Sequence, residues 1–159
     1  RGPFDCAKAV LPQMRAQGGG HVINVASSAG LLCMPMMAPY NVTKAGVVAL
    51  SETMCAELKP AGIGVTVLCP TFFRTKIMES SRYHGEGSTL GRVHKMMDRA
   101  KMQAPDVARY ALDAAAADQL YALPHDDGAW LWRLKRLIPE RFYQTLVPRN
   151  LGRFTGGKR

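Results

Sequence analysis

The chain has 159 residues, 47% of them hydrophobic, enough for one domain with a real core. No apolar run reaches the ~18 residues that would suggest a membrane span, and four scattered histidines lack metal-ligand spacing, so no structural zinc is expected. The net charge of +9 is a property of the tail rather than of the domain: Arg133, Lys135, Arg136, Arg141, Arg149, Arg153, Lys158 and Arg159 are opposed there by Glu140 alone.

Taken in chain order, Gly2 to Gln17 is predicted to be an amphipathic helix, stopped by Gly18-Gly19-Gly20. His21 to Ala26 is short and β-branched, as a buried strand is. Ser27 to Pro39 is predicted as a loop, and Tyr40 to Lys59 as a long helix ended by Pro60-Ala61-Gly62. Ile63 to Cys69 is a second buried strand, closed by Pro70. Thr71 to Gln103 is weakly periodic and predicted to be a long loop with one or two short helices. Pro105 suits the first position of a helix from Asp106 to about Ala117. Gln119 to Leu123 is a third strand; Ala129 to Leu137 and Arg141 to Leu146 are short amphipathic helices; Gly152 to Arg159 is expected to be disordered. Alternation of helices with near-continuous apolar strands argues α/β: three parallel strands with flanking helices, the C-terminal half of a doubly wound, Rossmann-type sheet. A complete domain of that type has further strands, so a longer parent chain is expected.

Tyr40 and Lys44 are the most informative pair. Spacing of four on a helix puts the phenol and the ammonium on one face, a turn apart. The ammonium favours phenolate over phenol, which suits the tyrosine to acid–base work on a hydroxyl or carbonyl oxygen. Ser27 lies thirteen residues before Tyr40 and could hold that same oxygen. Each residue also has a plainer use: Tyr40 and Lys44 as a surface pair, Ser27 as a strand end or turn cap, Thr75 as a helix cap. Asn24, inside the strand, reads as a tie to a neighbouring loop.

Asn24-Val25-Ala26-Ser27-Ser28-Ala29-Gly30, then Tyr40-x-x-x-Lys44, then Pro70-Thr71-Phe72-Phe73-Arg74-Thr75 resemble, in order and spacing, the short-chain dehydrogenase/reductase family. The resemblance covers roughly Arg1 to Leu123. It implies NAD or NADP as cofactor, Tyr40 as general acid/base, Lys44 on the nicotinamide ribose and beside the tyrosine, and Ser27 on the reacting oxygen. It places Pro70, the Phe73 backbone amide and Thr75 against the nicotinamide end. Pro70-Thr71 departs from the usual Pro-Gly. The family's Gly-rich nucleotide loop and the residue that selects NAD over NADP have no counterpart here, and its fourth catalytic residue, an asparagine, would fall about two residues before Arg1.

The expected organisation is therefore a catalytic portion over 1–126, basic aromatic helices over 127–151 and a tail over 152–159. The implied reaction is hydride transfer between a nicotinamide and a secondary alcohol or ketone; the alternative is a truncated, non-catalytic fragment that only folds or dimerises. The resemblance implies a homodimer or homotetramer through the helices bearing Val10, Leu11, Met14 and Val47, Leu50, Met54. The segment 75–103 is expected to be a substrate lid, with Met34, Met36, Met37, Met96 and Met97 beside an apolar pocket. Cys6, Cys55 and Cys69 fall in predicted apolar elements, and no CxxC pair occurs, so a reduced, cytoplasmic protein is expected. The run Trp130 to Leu137 suits packing on the domain or peripheral contact with an anionic membrane through 130–149; no nucleic-acid partner is expected, because no nucleic-acid motif accompanies it.

Overall fold

A computed structural model describes residues 2–76, 91 and 95–150. Helix α1 (Gly2–Ala16) leads into strand β1 (Gly20–Val25), short helix α2 (Ser28–Leu32) and long helix α3 (Ala38–Leu58). A 3₁₀ turn at Lys59–Ala61 reaches Gly62, whose φ of 67° is left-handed, and the chain reverses into β2 (Ile63–Leu68). Helix α4 (Ala104–Ala116), β3 (Tyr121–Ala122), α5 (Asp126–Leu137) and a final helical stretch α6 over 139–150 complete the described chain. Within α6, Phe142–Leu146 winds as a π-helix.

The sheet is parallel, in the order β1-β2-β3, with Gly20 opposite Ile63 and Val25 opposite Leu68. Alternation on β2 decides what covers each face. Ile63 and Val65 join Ala7 of α1 and Met54 and Leu58 of α3 in one buried cluster. Val67 and Cys69 continue that face against Leu31 and Val48. Leu68 points the other way, into Val107, Ala111 and Ala114 of α4. Both faces are thus covered, which is why β2 reads as a near-continuous apolar run, its polar Thr66 being buried and donating to Gln119 O. Ile63, Val65 and Val67 are 0–2% exposed, worth about 1.5–3 kcal/mol each.

Several sequence expectations change in detail. The segment before Tyr40 is not a plain loop: Ser27 caps the helix α2, which buries Ala29, Leu31 and Leu32. Asn24 ties a helix, not a loop; its side-chain amide donates to Ser51 Oγ of α3 at 2.9 Å. The third strand is only Tyr121–Ala122. Pro105 takes the second helical position, because Gln103 and Asp106 form a capping box one residue earlier than predicted. Cys6 and Cys33 are exposed, Cys55 is half-buried and Cys69 buried, all as free thiols. Met34 is partly buried against the Leu32–Phe142–Val147 cluster and Met36 is exposed. Only part of the 75–103 segment is described, including a helical turn over 95–98; the remainder of that expected lid and the 152–159 tail lie outside the described residues.

On α5 the aromatic residues divide. Trp132 packs on Tyr121, ring centroids 4.8 Å apart, whereas Trp130 is 60% exposed. Among the described residues no helix is long and apolar enough to cross a membrane.

Candidate active site

The C-terminal ends of β1 and β2 collect the motif residues. Ala26 N–H donates to Leu68 O at 2.8 Å, carrying the ladder one residue past β1. Ser27 follows in extended conformation and caps α2, its Oγ accepting from Ala29 N–H at 3.2 Å. That bond uses a lone pair and leaves the hydroxyl hydrogen available. Ser28 N–H donates to Pro70 O at 2.9 Å, which links the serine segment to the loop after β2. Buried Cys69 lies behind them; burial pushes its thiol up to about 12, against the lesser opposing effects of the Ser27 backbone N–H and Lys44.

Tyr40 occupies the first turn of α3, where Pro39 pre-sets the backbone angle. Lys44 comes one turn later, its Nζ 5.8 Å from the centre of the Tyr40 ring. The same Nζ donates to Val25 O at 3.1 Å. Lys44 therefore reaches from α3 to the end of β1, two residues before Ser27. Half-burial lowers its pKa from the usual lysine value, Cys69 acting weakly in the opposite direction.

The 70–75 loop is fixed at several points. Phe73 packs against the cluster of Leu68, Val107 and Ala111. Arg74 N–H donates to Gln103 Oε1 at 3.0 Å, and its guanidinium pairs with Asp98 at 2.7 Å. Pro70 is buried and Thr75 exposed. Two clefts, about 420 Å³ beside Arg74 and Asp98 and about 450 Å³ between Glu52, Trp132 and Arg136, are not lined by Ser27, Tyr40 or Lys44.

A family model described as short chain dehydrogenase matches residues 1–85, more than half of the chain. The protein belongs to that family. Dehydrogenase/reductase SDR family member 4 of Rattus norvegicus is 43% identical over 68 residues, 43% of this chain and 24% of the rat protein. The 3-oxoacyl-(acyl-carrier-protein) reductase of a Synechocystis species is 38% identical over 79 residues, 50% of this chain and 32% of that one. A short-chain dehydrogenase/reductase from Burkholderia phymatum, crystallised in complex with NAD, superposes with a TM-score of 0.71 at 31% identity, covering 84% of this chain and 53% of that one. The chain thus spans about half the length of that solved relative.

Three residues of this short-chain dehydrogenase support the motif segments through contacts that the sequence does not announce. Buried Asn41, next to Tyr40, donates from Nδ2 to Met34 O at 2.7 Å and so ties down the approach to α3; a polar residue on a helix's inner face was its only signal. Gly30 lies against the Lys44 backbone. His125, far along the chain, accepts from Thr71 N–H at 3.3 Å. Gly30 closes the Asn24–Gly30 motif, which marks the position but not this contact; no local pattern announces His125.

Proposed function

We propose that the intact protein is an NAD(P)-dependent oxidoreductase acting on a secondary alcohol or ketone. The observation that carries this reading is Lys44, which spans from the Tyr40 ring to Val25 O at the strand end leading into Ser27. Tyr40 passes the proton to or from the substrate oxygen. Ser27 donates its free hydroxyl hydrogen to that oxygen, so developing negative charge meets an oriented donor. Lys44 steadies the phenolate and the ribose.

The residues present fit the nicotinamide end of a dinucleotide. Lys44 gives one of its three N–H groups to Val25 O and keeps two for ribose hydroxyls. The Pro70–Thr75 segment sits at the C-terminal end of a parallel strand, where α/β sheets bind ligands. Phe73 would offer its backbone amide, and Pro70 and Thr75 would flank it. When bound, the nicotinamide supplies or accepts the hydride. The substrate is a small alcohol or carbonyl compound, in keeping with the reductase names of the relatives. The free cysteines support a reduced, cytoplasmic setting.

Titrating the protein with NADH and NADPH separately, followed by Trp fluorescence, tests cofactor use. Tyr40→Phe in the intact enzyme should cut turnover by about 10²–10⁴ while leaving cofactor affinity unchanged. Retained turnover would sink the assignment.

A second reading is a non-catalytic chain that dimerises: of the apolar residues expected at such a face, Leu11, Met14, Val47, Leu50 and Met54 pack instead into the chain's own core, while Val10 (41%) is exposed together with Phe4 (60%) and Val42 (72%) on α1 and α3. Sedimentation of Phe4→Ser/Val42→Ser separates the two: a monomer with full activity retires it.

A further inference from the structure

The loop that stands against the nicotinamide end in the proposed reading is Pro70-Thr71, where a threonine replaces the family's usual glycine. Its backbone is held from the far end of the chain. Thr71 N–H donates to His125 Nδ1 at 3.3 Å. The His125 ring stacks on Phe73, centroids 6.4 Å apart and planes 25° from parallel. Thr71 Oγ1 makes a long contact of 3.5 Å to Asp127 Oδ1. The threonine methyl fills the space over Gly128, where an added Cβ would come within 2.5 Å of it. On its other side the loop is pinned by Ser28 N–H on Pro70 O.

An imidazole whose Nδ1 accepts carries its hydrogen on Nε2. That Nε2 is buried and has no partner among the described residues. An unpaired buried N–H lowers stability. What His125 has and a purely apolar ring would lack is the acceptor it turns towards Thr71.

We propose that His125 is a positioning residue for cofactor binding: it holds the Thr71 amide and backs Phe73, and so sets from the N-cap of α5 the loop geometry that a glycine would leave free. This rests on the nicotinamide reading above, and it adds that the segment after β3, rather than the motif loop alone, decides how well the loop receives the cofactor.

The test separates the acceptor from the ring. Asparagine can place its Oδ1 where His125 has Nδ1, whereas leucine or phenylalanine cannot accept. Amide exchange at Thr71 is measured first, by NMR on the chain itself and without cofactor. Exchange should rise about tenfold in His125→Leu and His125→Phe and return towards wild type in His125→Asn. In the intact enzyme the same two variants should raise KM for the cofactor about tenfold, with kcat nearly unchanged and rescue by asparagine. Unchanged exchange in His125→Leu, or an asparagine variant as impaired as leucine, overturns the proposal. Faster Thr71 exchange with an unaltered cofactor KM overturns it too. Wild-type protein that binds no nicotinamide refutes the parent reading, and the exchange measurement still decides whether His125 holds the loop.

Discussion

Gly30 lies directly on the backbone of Lys44: a Cβ added to the glycine would fall 2.6 Å from the Lys44 carbonyl carbon and oxygen. Helix α2 can therefore approach α3 only with no side chain at that position. This contact sets the distance between the Ser27 segment and the helix bearing Tyr40 and Lys44. Gly30→Ala should push the helices apart, lowering stability by about 1–3 kcal/mol and lowering turnover in the intact enzyme even at temperatures where the variant stays folded. A urea titration beside a kinetic assay checks both. A variant with wild-type stability and kinetics would show that the helices yield freely.

Lys44 should separate function from stability. Its ammonium is half-buried and its pKa lowered, so in the folded state the charge is unfavourable at neutral pH. The unfolded chain holds that proton up to the ordinary value, and the lysine's own effect is therefore a stability that rises with pH just below 10.5. Lys44→Met should melt no lower than wild type at pH 7, yet cut turnover about a hundredfold or more. A sharp drop in melting temperature would mean that the bond to Val25 O is chiefly structural.

Tyr121 donates to Glu52 Oε1 at 2.5 Å, and its hydroxyl is pushed up to about 12, first by burial and then by the carboxylate. The unfolded chain releases this proton near 10, so the folded state holds more protons between those values. The contribution is complete below pH 10 and is lost as pH rises towards 12. Urea midpoints at pH 8, 9.5, 10.5 and 11.5, wild type against Tyr121→Phe, isolate it. The phenylalanine variant should show the flatter decline; parallel curves would remove the assignment.

The thiols should react in an order set by exposure. Cys6 and Cys33 are exposed and should label rapidly with a disulfide reagent at pH 8. Cys69 is buried and its thiolate strongly disfavoured, so it should label only on unfolding. Mass spectrometry of timed aliquots reads the order directly. Early labelling of Cys69 would indicate that the β2 end opens readily.

Ser51 is fully buried and relays a hydrogen bond from Asn24 to Val47 O, 2.7 Å from its Oγ. Ser51→Ala should cost about 1–3 kcal/mol by stranding the Asn24 amide. Adding Asn24→Leu should recover part of that loss, as coupled neighbours do. Strict additivity of the two changes would argue against the pairing.

What the sequence by itself determined is what local periodicity can encode. The near-continuous apolar run Ile63 to Leu68 marked a strand covered on both faces, and it is one. A spacing of four places Tyr40 and Lys44 a turn apart on α3 from local sequence alone. The family membership was legible from the three short motifs for the same reason: each is a contiguous stretch whose meaning lies in its order. Tertiary structure decided the rest. Ser27 was readable either as a site residue or as a cap, and its place as the cap of α2 depends on that helix packing against α3. Lys44 meeting Val25 O, Gly30 lying on Lys44 and His125 holding Thr71 are contacts made by the crossing of segments. No periodicity records them, because they form only when the helices close over the sheet and exclude water from the groups between.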